Sequence, residues 1–360
     1  METKVNQKLF EGQSIYVGID CHKKNWTVTF LGEEYEHKTI SQDPDPAILA
    51  SYLKKNFPGA NYLAVYEAGF NGFESCRKLR QSGVNCYVIH AADVPTSHKE
   101  KIQKIDPVDS RKLARSLRSK EFKPIHVPEQ WIEADRLLIR QRFRIVKDLT
   151  RTKNRITAIL FQFNIKLPHN FTSNNTRHWS KAYLKWLKEL PLNHESLKLA
   201  IDNYVHIGET QRNELLHINK QIRALSQKTA YVNNYNLLIS MPGVGIITAM
   251  MFLVQIGDIR RFACLDDLCN YIGLVPSMHG SGDKNKTGKM VNRGRKELKI
   301  LLIEAAWEAV RLDPAMMATF NRLSLRMHKN KAIIRIARKM VSRMRTILLN
   351  QTAYQVGIND

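Results

Sequence analysis

Two short apolar runs, Ile15-Tyr16-Val17-Gly18-Ile19 and Tyr62-Leu63-Ala64-Val65-Tyr66, each end on a carboxylate, Asp20 and Glu67. Short apolar stretches bounded by polar residues are the pattern of strands in the middle of a sheet. An acid at the end of such a strand adds nothing to packing and is costly to bury unpaired, so the position suits a group that will meet a cation. Two further acids, Asp106 and Asp109, stand three apart at the start of a predicted helix. Side chains at i and i+3 share a helical face and can point at one site. The chain is therefore expected to build an α/β layer whose strand ends and one helix start collect carboxylates.

The surrounding sequence fits that layer. Residues 16–20, 26–30 and roughly 34–40 are predicted as strands joined by tight polar turns. A helix is expected over 46–57, a strand over 62–67, a helix over 71–82 stopped by Gly83, and a strand over 84–89. A last helix is predicted over 107–119, with Pro107 suited to its first turn. Three meander strands followed by alternating helices and strands is the order of an RNase H-like (RuvC-like) fold, here over residues 1–127.

The pattern changes near Glu129. Leu138, Ile145, Leu149, Ile156 and Leu160 keep a helical period, while Arg136, Arg140, Arg142, Arg144, Lys147, Arg151, Lys153 and Arg155 fill the other face. A second periodic run contains Ile201, Val205, Ile218, Ile222 and Leu225. Two long amphipathic segments joined by a polar excursion predict an antiparallel helical hairpin or coiled coil over 128–235. A third, mainly helical unit is expected over 236–360. The basic face is either a solvated surface or a nucleic-acid track, and Arg140, Arg144 and Arg151 are its candidate contacts.

Charge favours the track. The chain of 360 residues holds 56 Lys and Arg against 33 Asp and Glu, a formal net charge of +23. A polyanion is the natural partner of such a chain. No apolar run approaches the ~20 residues of a membrane-spanning helix, and the polar N-terminus lacks a signal-peptide core, so a cytoplasmic protein is expected. Five cysteines without a Cys-x-x-Cys pair give neither a disulfide framework nor a zinc site. Cys21, beside Asp20, reads as a small reduced side chain rather than a nucleophile. The histidines are scattered without metal-ligand spacing.

The third unit carries two further signals. Met241-Pro242-Gly243-Val244-Gly245 precedes a helical run and resembles the turn of a helix-hairpin-helix element. There Gly243 and Gly245 would let backbone N–H groups approach a phosphate at a helix N-terminus, or would simply make a tight turn. A polar loop is expected from Ser277 to Asn292. Within it Ser281 stands between Gly280 and Gly282, with Lys284, Lys286, Lys289 and Arg293 nearby. An exposed hydroxyl flanked by glycines and cations can attack a phosphodiester, and it can equally be an ordinary surface loop. For the acids the chemical alternative to catalysis is helix capping, which Asp106, directly before Pro107, could provide.

Taken in order, these motifs resemble the DEDD-type insertion-sequence transposases, the group that includes the Piv-type DNA invertases. The resemblance rests on Gly18-Ile19-Asp20-Cys21-His22-Lys23, Tyr66-Glu67-Ala68-Gly69, and Lys104-Ile105-Asp106-Pro107-Val108-Asp109-Ser110-Arg111-Lys112-Leu113-Ala114. It continues through Met241 to Gly245, Tyr271-Ile272-Gly273-Leu274-Val275-Pro276, Ser281-Gly282 and Asn292-Arg293-Gly294, and so covers most of the chain. The chain departs from the family pattern after the second acid, at Ala68-Gly69-Phe70, and before the serine, where Gly280 replaces a second serine. Ser277 is the weaker alternative to Ser281.

The resemblance implies a RuvC-like domain that holds Mg²⁺, as a possible two-ion site, through Asp20, Glu67, Asp106 and Asp109. It implies a C-terminal domain whose serine, here Ser281, attacks DNA and becomes covalently linked. It also implies double-stranded DNA as substrate, a structured noncoding bridge RNA as guide in some members, and a homo-oligomer, dimer or tetramer. The alternatives are a RuvC-like nuclease that cuts branched DNA with water, and a non-catalytic basic nucleic-acid-binding protein.

Overall fold

The structure is a computed structural model that describes residues 10–94, 105–168, 171, 179–281 and 284–357, with backbone only for 278–281 and 284–287. Its contacts divide the chain into two units, Met1–Glu129 and Gln130–Asp360.

The first unit is a five-stranded sheet covered by helices on both faces. Its elements are β1 (Ser14–Cys21), β2 (Trp26–Leu31), β3 (Glu36–Gln42), α1 (Pro46–Asn56), β4 (Asn61–Glu67), α2 (Glu74–Gln81), β5 (Asn85–Ile89) and α3 (Asp106–Arg118). The strand order is β3-β2-β1-β4-β5. The first three strands pair antiparallel, whereas β4 joins β1, and β5 joins β4, in parallel. This is the mixed α/β arrangement expected from the sequence, and the order fits an RNase H-like domain. The expected helix over 71–82 is shorter, beginning at Glu74.

Alternation along the strands assigns the two faces. Ile15, Val17 and Ile19 of β1 and Ala64 and Tyr66 of β4 join a core with Leu49 and Leu53 of α1 and Cys76 and Leu79 of α2. Val65, between them, belongs to a second core with Leu113 and Leu117 of α3. Successive strand residues face opposite ways, so Gly18 and Asp20 of β1, and Glu67 of β4, lie on the α3 side.

The second unit is helical. Its elements are α4 (Gln130–Gln162), α5 (Lys181–Lys188), α6 (Glu195–Ser226), α7 (Val232–Ile239), α8 (Ile246–Ile256), α9 (Leu265–Ile272), β6 (Pro276–Ser281), β7 (Lys284–Met290), α10 (Lys296–Leu312), α11 (Pro314–Ser324) and α12 (Lys329–Asn350). The long helices α4 and α6 run antiparallel. Arg142 Nε donates to Asn219 Oδ1 at 2.8 Å and Thr152 Oγ1 to Gln211 Oε1 at 2.9 Å, so advancing on one helix retreats on the other. One large core contains Ile139 of α4, Ile218 and Ile222 of α6, and residues of every helix from α7 to α12. The expected boundary at 235/236 therefore falls inside a shared core. Helix α8 is its centre, buried without interruption from Thr248 to Ile256.

Two expectations about this unit are corrected. The stretch from Ser277 to Asn292 is not a loop throughout: β6 and β7 pair antiparallel, with Ser281 opposite Lys284. The basic face of α4 is also not uniformly solvated. Arg136 is 5% exposed and its Nε donates to the Val254 carbonyl at 3.0 Å. Arg142 is occupied by Asn219, and Lys153 lies over the Trp179 ring at 5.6 Å. Arg144, Lys147, Arg151 and Arg155 remain exposed, at a spacing that puts them on one helical stripe.

Candidate metal centre and nucleic-acid interface

The sheet delivers Asp20 and Glu67 to neighbouring strand ends. Ile19 pairs with Tyr66 in the parallel β1–β4 ladder, so each acid comes one residue later on its own strand, on the same face. Carboxyl ends of parallel strands are where open α/β sheets place their sites. Helix α3 lies across that face and starts at Asp106. Its N-cap is Ile105, which makes no side-chain cap. Asp106 is therefore not a helix cap, contrary to the bland alternative, because it already occupies the first helical position. Asp109 lies one turn on.

His22 joins these acids, which corrects the reading of scattered histidines. Its Nε2 lies 3.2 Å from Asp20 Oδ2 and 3.6 Å from Asp106 Oδ2. Asp20, His22 and Asp106 each offer an atom within 4.8 Å of the others'. Glu67 and Asp109 fall outside that tight group but act on it electrostatically. Burial raises the Asp20 carboxyl above its ordinary value; His22 opposes this, and Asp106 and Asp109 add to it. Burial likewise raises Glu67, with Lys112 opposing, Asp109 and Asp20 adding, and His90 opposing weakly. His22 was legible only as the second residue after Asp20, a spacing that returns an extended chain to the same side.

The donors fit a divalent ion. They are hard carboxylate oxygens, the ligands Mg²⁺ prefers, and they are held close enough to raise one another's proton affinity, a cost that a bound cation removes. Cys21 takes no part: burial pushes its thiol up to about 12, and its side chain faces the α1–α2 core.

In the second unit the two glycines before α8 have different roles. Gly243 has φ +85°, and a methyl group there would lie 2.4 Å from the Ala305 carbonyl oxygen of α10. Close helix packing, not access to phosphate, explains that glycine. Gly245 caps α8 with φ −88°, and nothing lies within 4 Å of where its side chain would be. Of the two, only Gly245 leaves open space where a side chain would stand. The strands β6 and β7 spring from segments cinched by Gly273 and Gly294. A methyl on Gly273 would be 2.3 Å from the Arg293 carbonyl oxygen, and one on Gly294 would be 2.5 Å from that of Ile272. The backbone of Ser281 thus sits at the far end of a braced hairpin, while the side chains of Ser281 and Lys284, and all of Gly282, lie outside the described residues.

Family comparison agrees with both units. A family model described as a transposase, of the DEDD IS110 type, matches residues 17–165, and one described as "Transposase IS116/IS110/IS902 family" matches residues 235–321. The chain belongs to the IS110-type DEDD transposases. Among its relatives is the transposase for insertion sequence element IS1533 of Leptospira borgpetersenii, 28% identical over 252 residues, 69% of this chain and 71% of that protein. The putative transposase y4qE of Sinorhizobium fredii is 29% identical over 242 residues, 67% of this chain and 57% of that protein. The pilin gene-inverting protein of Moraxella bovis is 24% identical over 362 residues, 96% of this chain and 99% of that protein. Membership brings a DNA-cleaving or recombining enzyme that handles DNA, and suggests use of a divalent metal. Among the described residues no helix is long and apolar enough to cross a membrane.

Proposed function

We propose that this transposase cuts and rejoins double-stranded DNA with Mg²⁺ held by Asp20, Glu67, Asp106 and Asp109, and with Ser281 as nucleophile. The observation that carries the reading is the convergence of four acids from β1, β4 and the first turn of α3 on one face of the sheet. When bound, the divalent ion supplies positive charge for the attacking and leaving oxygens. The Ser281 oxygen forms a bond to phosphorus, its proton passes to solvent, and the DNA oxygen leaves as a hydroxyl. The phosphodiester is conserved as a phosphoserine, so the reverse attack reseals DNA without ATP. His22 sits within reach of both Asp20 and Asp106.

A structured noncoding RNA guide and a homo-oligomer belong to the same proposal. The net charge of +23 and the exposed stripe through Arg144, Arg151 and Arg155 support a large polyanionic partner beyond the DNA at the site. Arg293 and Lys284 flank the hairpin strand that follows Ser281, and Gly245 offers an open helix N-terminus.

A nuclease using water has one observation in its favour: all four acids lie in the first unit, whereas Ser281 lies in the second. A nicked suicide substrate carrying an insertion-sequence end separates the two. A protein–DNA adduct that disappears in Ser281→Ala supports the serine; free ends with no adduct replace it by water. Co-purification of a defined RNA from cells carrying the whole element tests the guide.

A further inference from the structure

Tyr271 stands at the root of the β6–β7 hairpin, at the centre of a group of arginines that the metal chemistry does not use. The Arg261 guanidinium lies 4.5 Å from its ring centroid and that of Arg295 4.6 Å. Arg295 Nη2 donates to the Tyr271 oxygen at 2.9 Å, and that hydroxyl donates to the Gln255 carbonyl at 2.9 Å. From α4, the buried Arg136 and, one turn later, Arg140 approach the same group closely enough to feel Arg295.

The arrangement concentrates positive charge without neutralising it. Among the described residues no ion pair joins these four guanidiniums to a carboxylate; of the acids nearby, Glu133 acts on Arg136 electrostatically, and Glu297 and Asp258 pair with Lys147 and Arg260. Burial, then repulsion by Arg295 and Arg140, brings Arg136 down to about 10. At Tyr271 burial acts to raise the phenol, but Arg295, Arg261 and Arg136 together outweigh it and lower it. Among the described residues, Arg261 Nη2 is buried and meets no acceptor at hydrogen-bonding geometry. Stacking on Tyr271 would brace the hairpin with one arginine. Four arginines, one with an orphaned donor, make a site that a doubly hydrogen-bonding anion completes.

We propose that Arg261 and Arg295, held on Tyr271, together with Arg140 of α4 and backed by Arg136, clamp a backbone phosphate of duplex DNA. The position gives the clamp a register. Five strand residues at ~3.3 Å each separate Pro276 from Ser281, about 17 Å. Phosphates advance ~3.4 Å along each DNA strand, so the clamped phosphate lies several nucleotides from the bond at Ser281. The clamp fixes the duplex relative to the hairpin and leaves the chemistry to other groups. This inference rests on the transposase reading above.

The test is a salt titration of full-length protein binding to a duplex bearing the insertion-sequence end. Each lost phosphate contact lowers the slope of log affinity against log salt by about one. Arg140→Gln and Arg261→Gln are expected to lose about tenfold in affinity and about one in slope. Exposed Arg322 on α11 is the control, and Arg322→Gln is expected to keep the wild-type slope. Arg140 makes no hydrogen bond among the described residues, so its variant tests the clamp even where Arg261→Gln folds poorly. An unchanged slope in Arg140→Gln, with normal binding by the wild type, overturns the clamp and leaves the transposase reading standing. An equal loss in Arg322→Gln overturns it as a mere effect of total charge. A loss seen on single-stranded RNA but not on the duplex overturns the DNA assignment. A wild type that binds no duplex removes the transposase reading itself.

Discussion

Gly18 and Ser110 are in closer contact than any side chain between them would allow. A methyl group on Gly18 would lie 2.0 Å from the Ser110 carbonyl oxygen and 2.5 Å from the Ala114 nitrogen. The bare strand surface lets α3 settle onto β1, and the buried Ser110 hydroxyl locks it there through Thr29 Oγ1 at 2.8 Å. The same contact sets how near Asp106 and Asp109 come to Asp20. Gly18→Ala is therefore expected to displace the helix as well as to strain the core. A stability loss of ~2–4 kcal/mol, read by denaturant unfolding, is the scale for overpacking at backbone. Mg²⁺ binding by calorimetry is expected to weaken in protein that remains folded, and a variant that binds metal normally would separate helix seating from ligand placement.

The raised proton affinity of Asp20 and Glu67 has a definite sign for stability. Burial is the first cause at both. A carboxyl whose folded value lies above its unfolded value binds more protons folded than unfolded, so stability falls as pH rises through that interval. Metal-free protein at neutral pH carries the full cost. Asp20→Asn is expected to raise the melting temperature of metal-free protein by on the order of a few degrees, to flatten its dependence between mildly acidic and neutral pH, and to abolish strand cleavage. Mg²⁺ is expected to raise the melting temperature of wild type and not of the variant. Scanning fluorimetry at two pH values with and without Mg²⁺ reads all of this, and a destabilised Asp20→Asn would contradict the account.

Much of this site was legible because strand alternation is a local property. Placing Asp20 and Glu67 at the ends of apolar runs predicted neighbouring strand ends, and the pairing of Ile19 with Tyr66 gives that arrangement. What was not legible depends on distant partners. Arg136 looks like a surface residue until its acceptor, the Val254 carbonyl on α8, is known. The β6–β7 hairpin has no alternating apolar face, since Pro276–Ser281 and Lys284–Met290 are mostly polar, so it reads as a loop. Helix α11 starts at Asp313-Pro314, the Asp313 carboxylate accepting from Ala315 N at 2.9 Å.

His22 is expected to act as a partner of the acids rather than as a nucleophile or base. It touches Asp20 and Asp106 together, and partners that orient metal-binding carboxylates typically contribute 10–100-fold, roughly, to affinity or activity. His22→Ala is expected to raise the Mg²⁺ concentration needed for half-maximal cleavage by about tenfold, with cleavage recovering at saturating metal. A Mg²⁺ titration of suicide-substrate cleavage measures this. Unchanged metal demand would reduce His22 to a surface neighbour.

Gly243 and Gly245 separate a packing glycine from an open one. At Gly243 both φ +85° and the Ala305 carbonyl at 2.4 Å exclude a side chain, so Gly243→Ala is expected to cost on the order of 2–3 kcal/mol in unfolding. At Gly245 φ is −88° and space is open, so Gly245→Ala is expected to stay within about 0.5 kcal/mol of wild type. The binding experiment then becomes informative at Gly245 alone. A side chain there stands over the first N–H groups of α8, the groups that a phosphate would approach. Gly245→Ala with unchanged stability and severalfold weaker binding to duplex DNA places a phosphate at that helix start. Equal binding shows that Met241 to Gly245 is a packing turn throughout, with Glu308 and Leu312 of α10 lining its open side.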